Sequence, residues 1–136
     1  MQFKELGGLL RHQTYMPAQA TAGTDDNWPV FVAPAKCQIV SVTFVPSANI
    51  TADGTNFSTY TLTNKESGAG STAVASRAWS ATNSVASTPE AFTLSGTAAN
   101  LLVDADDSLE VVKTHGGTGL TIPDGVLVIN YRLTGV

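Results

Sequence analysis

The sequence predicts an all-β domain, a sandwich or barrel of short antiparallel strands. Two observations predict it: apolar residues alternate with polar ones at a period of two, and segments rich in Gly, Pro, Asn and Asp separate the alternating stretches. A chain of 136 residues suffices for one hydrophobic core and is short for two. We therefore expect one β-sandwich domain over residues 29–136, preceded by an N-terminal arm over residues 1–28.

The clearest predicted strand covers residues 37–45 and places Val40, Val42 and Phe44 on one face. Residues 59–63 alternate threonines with large apolar side chains, which is typical of an antiparallel strand with one face in water. Further strands are predicted at residues 30–33, 72–79, 90–95, 101–103, 108–114 and 126–133, which gives seven or eight in total. Inward-facing side chains are predicted at Leu109, Val111, Leu127, Ile129, Tyr131 and Leu133.

The first 28 residues differ from the rest, because they lack β-alternation, contain the Gly7-Gly8 break and end in small and acidic residues. Fully extended, such a segment reaches on the order of 90 Å, so it can engage a neighbouring subunit as readily as its own core. A frayed terminus is the alternative interpretation. The apolar side chains predicted to contact a partner are Phe3, Leu6, Leu9, Leu10, Tyr15, Met16 and Trp28.

Charge and cysteine content limit the partners and the compartment. The net charge is -4, and the seven Lys and Arg residues are scattered singly, so the basic stripe that binds nucleic acid is missing. Cys37 is the one cysteine, so folding does not depend on an intrachain disulfide. The chain shows neither the apolar run of a secretory signal nor one long enough to span a bilayer. We expect assembly in the cytosol and neither nucleic acid nor membrane as a partner.

The residues that carry acid–base or nucleophilic chemistry are few. His12 and His115 are the two histidines, and neither lies in a recognisable nucleophile setting. Cys37 follows Lys36, which could lower a thiol pKa, but a lone cysteine that opens an apolar strand is more often a small buried side chain. The sequence therefore predicts no enzyme activity and no cofactor.

The acidic segment with Asp104, Asp106, Asp107 and Glu110 offers oxygen ligands of the kind that calcium prefers. It lacks the glycine and the spacing of a calcium loop, so a solvated β-turn is the favoured interpretation and no metal site is predicted. A hydrolase that uses Asp104, Asp106 or Glu110 is the least favoured alternative. The glycine-rich residues 115–119 lack the lysine and helix of a phosphate loop and predict a flexible hairpin tip.

The aromatic residues suggest a second class of function. Trp28 and Trp79, together with Tyr15, Tyr60 and Tyr131, could form a platform that stacks on sugar rings. The alternating positions of Tyr60 and Tyr131 predict that these two side chains face the core instead. Sugar binding is therefore kept as the alternative.

The order of these features resembles a known family. A polar arm is followed by VFVAPAKCQIVSVTFVPSANITADGTNFSTYTLTNK and then by VDADDSLEVVKTHGGTGLTIPDGVLVINYRL. This pattern, over residues 29–133, resembles the decoration or cement proteins of tailed-bacteriophage heads. The stretch DADDSLEVVK is also similar to the turn and strand of many jelly-roll domains.

The resemblance implies an antiparallel jelly-roll-like β-sandwich with an extended N-terminal arm. It implies a virion structural protein that binds the outside of a phage capsid and stabilises the shell by bridging major capsid subunits. Such proteins commonly form homotrimers, so a homo-oligomer on the capsid surface, assembled in the host cytoplasm, is expected. The alternative that it leaves open is a carbohydrate- or receptor-binding β-sandwich module of a phage fibre or tail.

Overall fold

The computed structural model describes residues 8–135 and consists of two antiparallel sheets. The first sheet contains, in spatial order, β1 (Leu10–Met16), β10 (Gly125–Leu133), β3 (Cys37–Pro46) and β6 (Glu90–Ala91), with β8 (Leu102–Val103) also paired to β3. The second contains β2 (Asp26–Val32), β9 (Ser108–Gly116), β4 (Phe57–Glu66), β5 (Thr72–Ala78) and β7 (Thr93–Leu94). A short 3-10 helix covers Ala98–Leu101. No helix in residues 8–135 is long and apolar enough to cross a membrane.

The strand pairs are nested within one another. β1 pairs with β10, β2 with β9, β3 with β6 and β4 with β5, all antiparallel. One long hairpin that folds over on itself produces this order, and the two resulting layers, each with five strands, form a jelly roll. Phe92 separates β6 in the first sheet from β7 in the second, so the chain crosses between the sheets there. The predicted all-β, jelly-roll-like sandwich is confirmed.

The predicted strands are found close to their expected positions, with one change of phase in β3. Ile39 and Val42 are both buried although they lie three positions apart, whereas Val40 between them is only half-buried. The register with β10 shifts at this point, which marks a β-bulge. The prediction that Val40 shares the inward face is therefore wrong, because the extra residue of a bulge resets the alternation.

The structure corrects the predicted arm from residue 10 onward. Leu10–Met16 is a complete strand, in unbroken register with β10, and the predicted boundary at residue 28 falls inside β2. His12 and Thr14 face the second sheet, and both side chains lie within hydrogen-bond distance of the Val30 carbonyl, at 2.8 and 3.0 Å. The alternation is hard to see in the sequence because these inward positions are polar and find their partner only in the folded chain. Phe3 and Leu6 lie outside the described residues.

Aromatic rings fill the centre of the core. Tyr60, Trp79 and Phe44 are fully buried, and the ring centroids of Tyr60 and Trp79 are 5.2 Å apart in an edge-to-face arrangement. Such pairs add about 0.5–1.5 kcal/mol beyond the area that they bury. The indole nitrogen of Trp79 donates a hydrogen bond of 2.8 Å to Ser84 Oγ, which fixes the loop between β5 and β6.

Candidate binding surface

The outer face of the first sheet carries three rows of side chains that run across β1, β10 and β3. In the first row, Tyr15, Val126 and Val45 lie opposite one another in the strand register. Tyr15 is 65% exposed and Val126 is 37% exposed. The other two rows are Gln13, Val128 and Thr43, and then Arg11, Asn130 and Ser41. We call these nine residues the first-sheet face.

The outer face of the second sheet has a different chemistry. Its central strand β4 presents Thr59, Thr61 and Thr63, which lie opposite Thr114, Val112 and Glu110 of β9. Threonine hydroxyls keep a sheet surface hydrated, whereas the neighbouring exposed Tyr15 and Val126 lose water favourably when a partner covers them. The first-sheet face is therefore the better candidate for a binding surface.

Asp124 fixes one end of the first row. Its carboxylate accepts hydrogen bonds from Ser47 Oγ and, at 3.0 Å, from Tyr15 Oη. The bond from Ser47, followed by that from Tyr15, lowers the pKa of Asp124, and the bond to Asp124 raises the pKa of Tyr15. Asp124 is therefore a carboxylate at neutral pH, and it tethers an aromatic ring whose surface remains accessible.

Arg11 supplies the positive charge at the opposite end of the face. Its Nε donates to Asn130 Oδ1 at 3.2 Å, and Asn130 Nδ2 donates to Ser41 Oγ at 2.9 Å. Tyr15, with its partner Asp124, lies four residue steps along the strand from Arg11, which corresponds to about 14 Å. The face thus has a cation at one end, a carboxylate at the other and a neutral, partly apolar centre.

The loop between β1 and β2 wraps around a buried lysine. Lys113 Nζ donates to the carbonyl oxygens of Thr21, Ala22 and Thr24, each at 3.0 Å. The Lys113 side chain is fully buried, and this burial lowers its pKa. Three carbonyl dipoles replace the water that the ammonium loses. Residues 17–25 are therefore held by a side chain about 90 positions away in the sequence.

The glycine-rich loop after β9 packs against the same segment. Gly119 has a φ of +74°, and a Cβ at this position would collide with the carbonyl oxygen of Ala22. His115 Nδ1 lies 2.6 Å from Asp25 Oδ1. The loop is therefore in close contact with residues 22–25, whereas the sequence predicts a flexible hairpin tip here.

The side chains predicted to contact a partner occupy several environments. Leu9 is 52% exposed and Tyr15 is exposed on the first-sheet face, while Leu10 is half-buried within β1. Met16 is fully buried, and the half-buried Trp28 packs edge-on against Tyr60 with ring centroids 5.9 Å apart. The structure corrects the role of Met16, because a fully buried side chain is not available to a partner, whereas Trp28 keeps part of its surface exposed.

Sequence reasoning missed the valines of this face. Val45, Val126 and Val128 occupy outward positions of β3 and β10, where strict alternation would place polar residues. The signal was present as consecutive apolar residues in each strand, but a run of apolar residues also fits a strand that is buried on both sides. In the folded chain Val126 is exposed at this face and Val45 is half-buried, while Val128 is only 8% exposed.

Cys37 is a buried side chain, as predicted. Its thiol is fully buried at the start of β3. Burial, with a smaller contribution from the charge of Asp107, raises the pKa of the Cys37 thiol to about 11. The thiol is therefore protonated at neutral pH, the form that is a poor nucleophile.

The acidic segment forms the predicted turn. The Asp107 N–H donates to the Asp104 carbonyl at 3.1 Å, and the Asp104 N–H donates back to the Asp107 carboxylate at 3.3 Å. Asp106 has a φ of +69°, and its N–H donates to the Ala33 carbonyl at 2.9 Å. In the part of the chain that the structure describes, no three His, Cys, Asp or Glu side chains are grouped so as to hold a metal ion.

The aromatic residues do not form a shared sugar platform. Tyr60 and Trp79 are fully buried, and Trp28 and Tyr131 are half-buried against the core. Among the aromatic side chains of residues 8–135, Tyr15 is the one that is exposed. The observation that motivated the sugar-binding alternative is therefore not found in the folded chain.

No protein-family model matches the chain, and no curated protein sequence matches it. Among solved structures, the chain is similar to a chain in the structure of infectious bursal disease virus strain Gx, with a TM-score of 0.33 and 16% sequence identity. The alignment covers 94% of this chain and 32% of the viral chain. This chain therefore spans about a third of the length of that viral protein.

Proposed function

We propose that this protein is a virion structural protein that binds the outside of a phage capsid and stabilises the shell by bridging major capsid subunits. The observation that carries the proposal is a row on the outside of a jelly roll, in which Tyr15 and Val126 are exposed and Val45 is half-buried. Jelly rolls are common in viral capsid domains, and this analogy of fold supports the class of protein. The residues of the face, rather than the fold, supply the site.

The mechanism requires only binding. A protein that binds the assembled shell more tightly than the free subunits stabilises the shell by mass action, and many copies add their effects. No bond is made or broken in this mechanism. Several copies joined to one another would gain avidity, which is the physical reason to propose a homo-oligomer.

The first-sheet face is suited to this task because its backbone is already ordered. β10 and β3 pair along nine residues, and β1 pairs along the same part of β10. A partner that docks on these strands gains contact with Tyr15 and Val126 without the entropic cost of ordering a loop. Leu9, which directly precedes β1 at the Arg11 end of the face, is also exposed.

A charged side chain introduced into the row of Tyr15, Val126 and Val45 tests the proposal. The chain and its Val126→Glu variant are sedimented with tailed-phage capsid shells from which the decoration protein has been stripped. We expect the wild-type chain to sediment with the shells and Val126→Glu to bind more than about tenfold more weakly, because the carboxylate loses its water on docking. The matched control is Thr61→Glu on the opposite face, which should bind like the wild-type chain.

Two results contradict the proposal. One is a wild-type chain that stays in the supernatant with every shell tested, and the other is equal sedimentation of the two glutamate variants. Circular dichroism of each variant confirms that it is folded before the comparison is made.

A further inference from the structure

Three of the four sheet edges in residues 8–135 are closed to further strand pairing. β6 and β7, at one side of the sandwich, are only two residues long. β2, at the other side, contains Pro29, which has no N–H to donate, and a register shift between Pro29 and Phe31. Its Val30 carbonyl also lies within hydrogen-bond distance of the side chains of His12 and Thr14. Short strands, proline and bulges are the features that keep an edge from pairing with another chain.

β1 has none of these features. It is seven residues long, contains neither proline nor lysine, and follows β10 without a register shift. One side of β1 pairs with β10, and in the described part of the chain no other backbone group is hydrogen-bonded to the strand. Within residues 8–135 this edge is regular and its outer N–H and C=O groups have no backbone partner, and such an edge is a template for a further antiparallel strand.

The side chains of β1 are complementary to a second, reversed copy of the same strand. We infer that two copies of this protein pair through their β1 strands, antiparallel about a two-fold axis at Gln13. In this register Arg11 lies opposite Tyr15 of the second copy, whose hydroxyl is bonded to Asp124. The positive end of each first-sheet face thereby meets the negative end of the other, and no like charges face one another.

The pairing also joins the two first-sheet faces. Residues that lie directly opposite in an antiparallel pair point to the same side, so Arg11, Gln13 and Tyr15 of both copies share one surface. The two rows of Tyr15, Val126 and Val45 then belong to a single continuous sheet with two-fold symmetry. A dimer of this kind is isologous and closed. It differs from the trimer that the family resemblance implies, and it does not depend on binding to a capsid.

A cysteine at the axis tests both the dimer and its register. In Gln13→Cys the two new thiols would lie across a strand pair, with Cα atoms about 4.5–5.5 Å apart, which suits a disulfide. The native Cys37 is fully buried and does not compete. We expect the full-length variant to form a covalent dimer under mild oxidation more than about tenfold faster than Thr61→Cys on the other sheet, which reports random collision.

Two single variants on the same strand check the register. Arg11→Cys and Tyr15→Cys should each crosslink slowly alone and rapidly when mixed, because each lies opposite the other. Equal rates for Gln13→Cys and Thr61→Cys overturn the dimer. Faster self-crosslinking of Arg11→Cys or Tyr15→Cys than of Gln13→Cys overturns the register.

Sedimentation equilibrium of the wild-type chain measures the oligomeric state without a crosslink. We expect a monomer–dimer equilibrium that Arg11→Glu weakens about tenfold, since each of two symmetric contacts then sets a glutamate beside Asp124. A monomer at every concentration, or a trimer, overturns the inference. Either result leaves the proposed capsid binding to be decided by the shell experiment.

Discussion

At the scale of single residues, Lys113 shows that a polar side chain can hold a loop of this fold in place. Three backbone carbonyl oxygens take the place of the water that its buried ammonium group loses. These carbonyls belong to residues 21–24, a segment with few large side chains of its own. The sequence shows a lysine in an alternating strand, where a solvated side chain is the ordinary expectation. Its hydrogen-bond partners are backbone carbonyls, so the amino-acid types at residues 21–24 give no sign of them.

We predict that Lys113→Met lowers the free energy of unfolding by about 2 kcal/mol, because hydrogen bonds to a charged group are lost while the apolar stem is kept. Amide hydrogen exchange at residues 21–24 should accelerate at the same time. Lys36→Met removes the same charge from an exposed position and is the control. Equal stability of the two variants in urea would show that the carbonyl cage contributes nothing.

Cys37 gives a second prediction, for alkaline pH. Its pKa is about 11 in the folded chain against an ordinary value of 9.0, so the unfolded chain loses this proton first as the pH rises. The free energy of unfolding should therefore fall between about pH 9 and pH 11, by about 2–3 kcal/mol at 1.36 kcal/mol per unit. The measurement is urea unfolding across this range, compared with Cys37→Ala. Parallel pH profiles for the two proteins would contradict the assignment.

At the scale of elements, β1 is the strand for which sequence and structure differ most. Its side chains alternate between the inward and outward faces, but the inward ones include the polar His12 and Thr14. The sequence therefore shows no alternation of hydrophobicity here. Met16 provides the one fully buried apolar side chain of the strand. This strand nevertheless belongs to the sheet, because it pairs with β10 at seven positions. The carbonyl oxygen of Val30 also lies within hydrogen-bond distance of its inward polar side chains.

Removal of β1 is therefore expected to damage the sandwich itself. A chain that lacks residues 1–16 should unfold at a much lower urea concentration than one that lacks residues 1–9, because it loses the pairing with β10 and the core contact of Met16. Met16→Ala alone should cost about 2–4 kcal/mol. If the two truncated chains unfold at the same urea concentration, residues 10–16 act as a separable arm after all.

At the scale of the whole molecule, the nested pairing places two chemically different surfaces on opposite sides of one core. The threonines of β4 lie on the second sheet, and the valines of β3 and β10 lie on the first. The same pairing puts the long edge β1 beside the valine-bearing face and closes the other edges with short or proline-containing strands. The proposed binding face and the proposed dimer edge are therefore adjacent parts of one sheet.

The all-β class, most strands and much of the core can be predicted from the sequence, because alternation is local and can be counted along the chain. The sequence also predicts the turn at Asp104–Asp107 and the burial of Cys37, which depend on neighbouring residues. The place of β1, the phase of Val40 and the exposure of Val126 become visible only in the folded chain. Each of these depends on a strand that is distant in sequence, since pairing partners and solvent-facing sides are fixed by long-range contacts rather than by the residues themselves.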